Sequence, residues 1–180
     1  RLYRQPAGAL PMSRTDNMTM TGRVWIVGDN INTDLMLPIQ AYYLSIEEQP
    51  AWVFSANRPG WSDQVAAGDI LIAGGNFGVG SSRPAARSLK NLGIACLLAE
   101  SINGLFYRNA INFALPALEA PGIKALFQEG DVAKVDFEAA EISNQADSET
   151  LAATAMPAQL LRILKAGGIY PLLQSENLIS

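Results

Sequence analysis

The chain predicts an α/β fold, a sheet core with flanking helices, and three observations carry that expectation. Short apolar runs alternate with amphipathic segments in a β-α-β-α order through the middle of the sequence. Polar, glycine-rich loops follow two of the apolar runs, where α/β folds gather ligands. The chain is 180 residues long and 49% hydrophobic, enough to bury a core of its own.

Taken in order, residues 1–20 are polar and weakly patterned and read as a flexible N-terminal extension, with a single folded domain over 21–180. Residues 22–27 form the first expected strand, ending at Gly28-Asp29-Asn30. The loop that follows, Asn30-Ile31-Asn32-Thr33-Asp34, is rich in side chains that bond nearby backbone. From 38 to 68 the aromatic residues Tyr42, Tyr43, Trp52, Phe54 and Trp61 are broken up by Pro50, Pro59 and Gly60, which predicts a long loop or short helices. Residues 69–73 form a buried strand and 84–92 a helix stopped by Gly93. Another buried strand is expected over 94–99, then a helix from Ser101 to about Phe113. Residues 130–137 alternate as a half-exposed strand, and a last helix runs near 157–166, closed by Gly167-Gly168.

Composition excludes several functions. A net charge of −4 without a lysine or arginine cluster leaves no electrostatic footprint for nucleic acid or an anionic membrane. No apolar run approaches the length of a membrane span, and no secretory signal is visible, so a cytoplasmic location is expected. There are no histidines and one cysteine, Cys96, inside an apolar run. That removes most metal sites and nucleophile–base pairs that a single chain could build, so no metal is assigned to it.

The segment Gly74-Gly75-Asn76-Phe77-Gly78-Val79-Gly80-Ser81-Ser82-Arg83, between a strand and a helix start, is the expected anion site. Backbone N–H groups, the positive end of a helix and a forked guanidinium would converge there on a carboxylate or phosphate. A phosphate-cradling loop does not fit, because Ser81 stands where its lysine is required. Nor does a dinucleotide fingerprint, since Arg83 occupies the position of its third glycine. A tight turn with a serine N-cap accounts for the same glycines, one serine and Pro84 without any ligand.

Three blocks resemble the swivelling β/β/α domain, or small subunit, of the aconitase and isopropylmalate isomerase superfamily. The first is Gly28-Asp29-Asn30-Ile31-Asn32-Thr33-Asp34 with Pro38, and the second runs from Gly68-Asp69-Ile70 through Ser81-Ser82-Arg83. The third is Ala99-Glu100-Ser101 with Phe106-Tyr107-Arg108-Asn109-Ala110-Ile111-Asn112 and Leu115-Pro116. Together with a late Ala166-Gly167-Gly168 they span roughly residues 22–172.

The resemblance implies removal and re-addition of water on a hydroxy-di- or tricarboxylate. It also implies a 4Fe-4S cluster held by a separate large subunit or other domains, with none expected on this chain. It assigns Ser81 as the base, Asp34 to the polar network around it, and Ser82 and Arg83 to a substrate carboxylate. Gly80 and Thr33 belong to the same substrate-binding set. Leu44 and Ser45 fall in the segment that reads the substrate's variable group. Members selecting a third carboxylate tend to carry Arg where Ser45 stands, which points to an alkyl-substituted malate such as isopropylmalate or a dimethylmalate-like analogue. The family's Gly-Cys-Gly-Ser-Ser-Arg-Glu-His-Ala pattern reads Gly78-Val79-Gly80-Ser81-Ser82-Arg83-Pro84-Ala85-Ala86 here, without the cysteine, acid and histidine. The small subunit of a heteromeric hydro-lyase is the leading expectation. A non-catalytic carboxylate-binding or regulatory subunit of the same fold, and a free-standing phosphate-binding domain, are the alternatives.

Overall fold

The computed structural model describes residues 18–80 and 83–179. The elements run β1 (Thr19–Ile26), α1 (Thr33–Met36), α2 (Ile39–Tyr42), β2 (Ile70–Ala73), α3 (Ala85–Leu92), β3 (Cys96–Ala99), α4 (Gly104–Asn112), β4 (Ala117–Glu119), α5 (Ile123–Leu126), β5 (Val132–Asp136), β6 (Glu141–Asn144), β7 (Thr150–Ala152), α6 (Ala158–Lys165) and α7 (Ile169–Ser175). The strands form one seven-stranded mixed sheet in the order β4-β3-β2-β1-β5-β6-β7. From β4 to β1 all neighbours are parallel, and from β1 to β7 all are antiparallel. The expected α/β class, a sheet core with flanking helices, is the one observed.

Both faces of the parallel half are covered, which is why its strands read as unbroken apolar runs. Trp25, Leu71, Ala73, Leu97, Ala99 and Ala117 face one core, with Met36, Phe54, Trp61, Leu89 and Phe106 from the helical side. Alternate residues Val24, Ile70, Ile72, Cys96, Leu98 and Leu118 face the other, with Ile123, Val135, Ile142 and Leu164. Each fully buried Leu or Ile contributes roughly 1.5–3 kcal/mol of transfer free energy.

The elements differ from the expectations at several ends. β1 begins three residues before Gly22: Met18 is buried, and Thr19 and Met20 pair with Asp136 and Val135. Those residues belong to the sheet and not to a flexible extension, because a half-exposed strand there completes the antiparallel ladder with β5. The rest of the expected extension, residues 1–17, lies outside the described residues. α4 starts at Gly104 and not at Ser101, since Asn103 caps it by accepting from the Leu105 N–H. The segment 38–68 holds α2 and two short 3-10 helices, Gln49–Trp52 and Ser62–Gln64, anchored by buried Val53, Phe54 and Trp61. β4, β6, β7, α5 and α7 were not legible in the residue pattern; the acidic stretch after Phe137 pairs as β6 and β7 at the sheet edge.

Among the described residues, no helix is long and apolar enough to cross a membrane.

Candidate functional site

Three loops leave the carboxyl ends of the neighbouring parallel strands β1, β2 and β3 and are stitched together by main-chain hydrogen bonds. The Gly74 N–H donates to Gly28 O (3.1 Å), Asn30 N–H to Gly75 O (2.8 Å), Gly78 N–H to Ile31 O (2.7 Å) and Thr33 N–H to Val79 O (2.9 Å). Asp29 Oδ1 accepts from the Gly75 N–H at 2.9 Å, and Asn76 Nδ2 donates to Asn30 Oδ1 at 3.0 Å. On the β3 side, Phe77 N–H donates to Ser101 O (3.0 Å) and Asn103 N–H to Phe77 O (2.7 Å). Parallel strands bring these ends together, and the polar residues of the loops satisfy one another's backbone.

Two glycines shape the stretch leading to Arg83. Gly78 has φ +84° and lies so close to Phe106 that a Cβ there would sit 2.3 Å from the ring's Cγ. Gly80 has φ +92°, and its Cβ would lie 2.9 Å from Thr33 Oγ1. Both therefore need glycine, Gly78 for close approach to a packed aromatic ring and Gly80 mainly for its left-handed backbone. Phe106 is held in place by edge-to-face contact with Phe77, centroids 5.2 Å apart.

Thr33, Gly80 and Arg83 line one small indentation, completed by Pro84, Ala85, Ala86, Phe106, Asn109 and Phe113. The Arg83 side chain is 14% exposed, its Nη2 lies 3.3 Å from Asp34 Oδ1, and its guanidinium sits 5.8 Å from the centre of the Tyr42 ring. Asp34 itself is 63% exposed. The helix N-cap here is Asn32, whose side chain accepts from the Leu35 N–H, so Asp34 is not the capping residue. The N-cap of α3 is Pro84, whose side chain accepts no hydrogen bond. Ser81 and Ser82 lie outside the described residues.

Leu44 and Ser45 do not line the indentation. Leu44 packs against the helical-side core, and Ser45 is exposed with its N–H donating to Glu48 Oε2 at 3.0 Å. The Ser45 hydroxyl and N–H hold the Glu48 carboxyl below its ordinary range. Of this segment it is Tyr42 that reaches the site. Sequence reasoning gave neither Tyr42 nor Asn109 a place in the site; Phe106 and Asn109 of α4 and its C-cap Phe113 stand at i, i+3 and i+7, a helical spacing that marks one face.

The other perturbed groups support the scaffold. The Gly75 N–H and then Lys124 hold the Asp29 carboxyl low. Asp69, next to β2, accepts from Arg23 Nη2 (2.7 Å), Trp25 Nε1 (2.7 Å) and the Ala66 N–H (2.9 Å). Among the described residues, no three His, Cys, Asp or Glu side chains come together as a metal site. Cys96, the chain's one cysteine, is buried in β3, and burial pushes its thiol far up. A 4Fe-4S cluster needs several accessible thiolates, and this chain does not fit one.

The aconitase C-terminal domain family model matches residues 27–122, which hold all three loops together with α3 and α4. The chain belongs to the aconitase C-terminal domain family. This family member is 42% identical over 157 residues to the isopropylmalate/citramalate isomerase small subunit of Methanocaldococcus jannaschii, spanning 86% of this chain and 94% of that one. It is 39% identical over 152 residues to the methanogen homoaconitase small subunit of Methanothermobacter thermautotrophicus, spanning 82% and 86%. The crystal structure of 3-isopropylmalate dehydratase from M. jannaschii superposes with a TM-score of 0.83 at 30% identity, covering 89% of this chain and 96% of that one.

Proposed function

We propose that this chain is the small subunit of a heteromeric hydro-lyase that dehydrates and rehydrates an alkyl-substituted malate such as 3-isopropylmalate. The observation that carries the reading is the convergence of Thr33, Gly80 and Arg83 on one indentation at the start of α3. The relatives reported above, matched over most of their length, support it. The partner is a large subunit to which the 4Fe-4S cluster is assigned. The complex works in the cytoplasm, in keeping with a single unpaired cysteine.

The work of this chain is to bind, orient and move a proton. Arg83, with Ser82, grips a substrate carboxylate, and a carboxylate arriving there competes with Asp34 for the guanidinium. Ser81, as an alkoxide, takes the proton from the carbon next to that carboxylate. The hydroxyl on the neighbouring carbon leaves as water with a proton from the partner's side, and a C=C bond remains. An alkoxide is costly in water. Oriented N–H donors of the glycine loop, the N-terminal end of α3 and the Arg83 charge are what lower that cost.

Tyr42 flanks Arg83, and the exposed Ser45, which the resemblance assigns to the substrate's variable group, meets that group outside the indentation, with Leu44 packed beneath it in the core. A charged Glu48 bound to Ser45 disfavours a third carboxylate there, which selects an alkyl group. The test is co-expression with the large subunit while following absorbance of the unsaturated acid. Ser81→Ala is expected to lower kcat by about 10²–10⁴. Unchanged activity would remove Ser81 from the mechanism, and carboxylate binding without turnover in any reconstituted complex would make this a binding subunit.

A further inference from the structure

Gln49 is only 5% exposed, although it opens a short surface helix. Both ends of its amide are occupied: Nε2 donates to Leu44 O at 3.2 Å, and Oε1 accepts from Arg87 Nη2 at 3.2 Å. Only this orientation of the amide satisfies a carbonyl on one side and a guanidinium on the other. The main chain closes the same segment, since the Glu48 and Gln49 N–H groups both donate to Ser45 O, at 3.2 and 3.1 Å. Arg87 lies in the first turn of α3, four residues after Arg83, which precedes the helix. Its guanidinium sits 5.8 Å from the centre of the Phe113 ring, and Phe113 lines the indentation. Arg87 Nε is buried and has no hydrogen-bond partner among the described residues, so the bond to Gln49 offsets part of the burial of that group.

From this geometry we infer that Gln49 is a positioning residue that fixes the Leu44–Ser45 segment against α3 and thereby sets selectivity for the substrate's alkyl group. The inference rests on the hydro-lyase reading for the identity of the substrate and on the two amide bonds for the tether. Gln49 touches no substrate in it. It transmits the position of α3, which carries Arg83 just ahead of its first turn, to the segment that meets the other end of the malate. Without the tether, Ser45 and Arg83 lose their fixed separation.

The experiment uses the full chain and its complex with the large subunit. Gln49→Met keeps the length and removes both bonds, while Gln49→Glu keeps an acceptor for Arg87 and removes the donor to Leu44. In the full chain, amide hydrogen exchange over residues 43–48 is expected to quicken about tenfold in Gln49→Met, with the sheet unchanged. In the complex, KM for isopropylmalate should rise about tenfold with a much smaller change in kcat. The preference for isopropylmalate over methylmalate should narrow. Gln49→Glu should show the same changes in smaller measure, and it carries the test if Gln49→Met does not fold. Wild-type exchange over 43–48 in the variant, or an unchanged preference once that exchange has quickened, would overturn the inference. An inactive wild-type complex would count against the hydro-lyase reading alone, because the exchange measurement decides the tether without turnover.

Discussion

Replacing Gly78 by Ala tests whether the glycine loop is shaped by contact with α4. At φ +84° an L side chain costs about 1–2 kcal/mol. The new Cβ would also lie 2.3 Å from Phe106 Cγ and 2.4 Å from its Cβ. That is more than about 1 Å inside ordinary carbon contact, and Phe106 is 2% exposed and packed edge-to-face against Phe77, so it cannot swing away. Overpacking of this kind adds about 1–3 kcal/mol, for a total near 2–5 kcal/mol. Gly80→Ala provides the internal comparison. Its φ is equally positive, but its Cβ meets only the Thr33 hydroxyl at 2.9 Å, which a small rotation relieves, so about 1–2 kcal/mol is expected. Urea unfolding of the two variants beside the wild type measures both. Equal destabilisation of the two, or a cost below about 1 kcal/mol for Gly78→Ala, would refute the claim that Phe106 sets the path of the loop.

Two further outcomes follow from the site and its scaffold. Arg83→Lys keeps the charge but loses the fork, so KM for the malate should rise about 10–100-fold in the assembled enzyme, and an unchanged KM would take Arg83 out of carboxylate binding. Burial pushes the Asp69 carboxyl up, but the bonds from Arg23, the Ala66 N–H and Trp25 outweigh it and leave the group below its ordinary range. Its folded-state pKa is therefore depressed, and its contribution to stability is complete above the unfolded value near 4 and is lost as pH falls toward the folded value. Asp69→Asn should cost about 1–3 kcal/mol at neutral pH, with the gap to wild type constant above about pH 5 and closing below about pH 4 in urea titrations.

Much of the site was legible in the residues because its chemistry is local. Glycines at 78 and 80, two hydroxyls and a guanidinium ahead of a helix start single out this loop by residue type alone. Strand periodicity placed β2 and β3 to within two residues at their starts, since strands buried on both faces read as continuous apolar runs. Other features depend on contacts distant in sequence. Gly78 faces Phe106 across 28 positions, and the Asp34–Arg83 pair joins residues 49 apart, so neither neighbour is visible beside the other in the chain. β6 and β7 are short edge strands with polar composition, whose pairing is decided by the strand beside them and not by their own propensity. The capping of α1 by Asn32 was equally hidden, because Asn32 and Asp34 are both good caps and only the backbone angles choose between them.

By itself the amino-acid sequence determined the α/β class, the glycine loop ahead of a helix start, and a chain with one cysteine and no histidine, because each follows from residue type and short-range spacing. Tertiary structure alone decided that Asp34 and Tyr42 flank Arg83, that Asn109 joins the same indentation, and that Gln49 ties the 44–49 segment to α3. The reason is physical: parallel strands deliver loops from distant parts of the chain to one edge of the sheet, and which side chains then meet is set by packing and hydrogen-bond satisfaction across those loops.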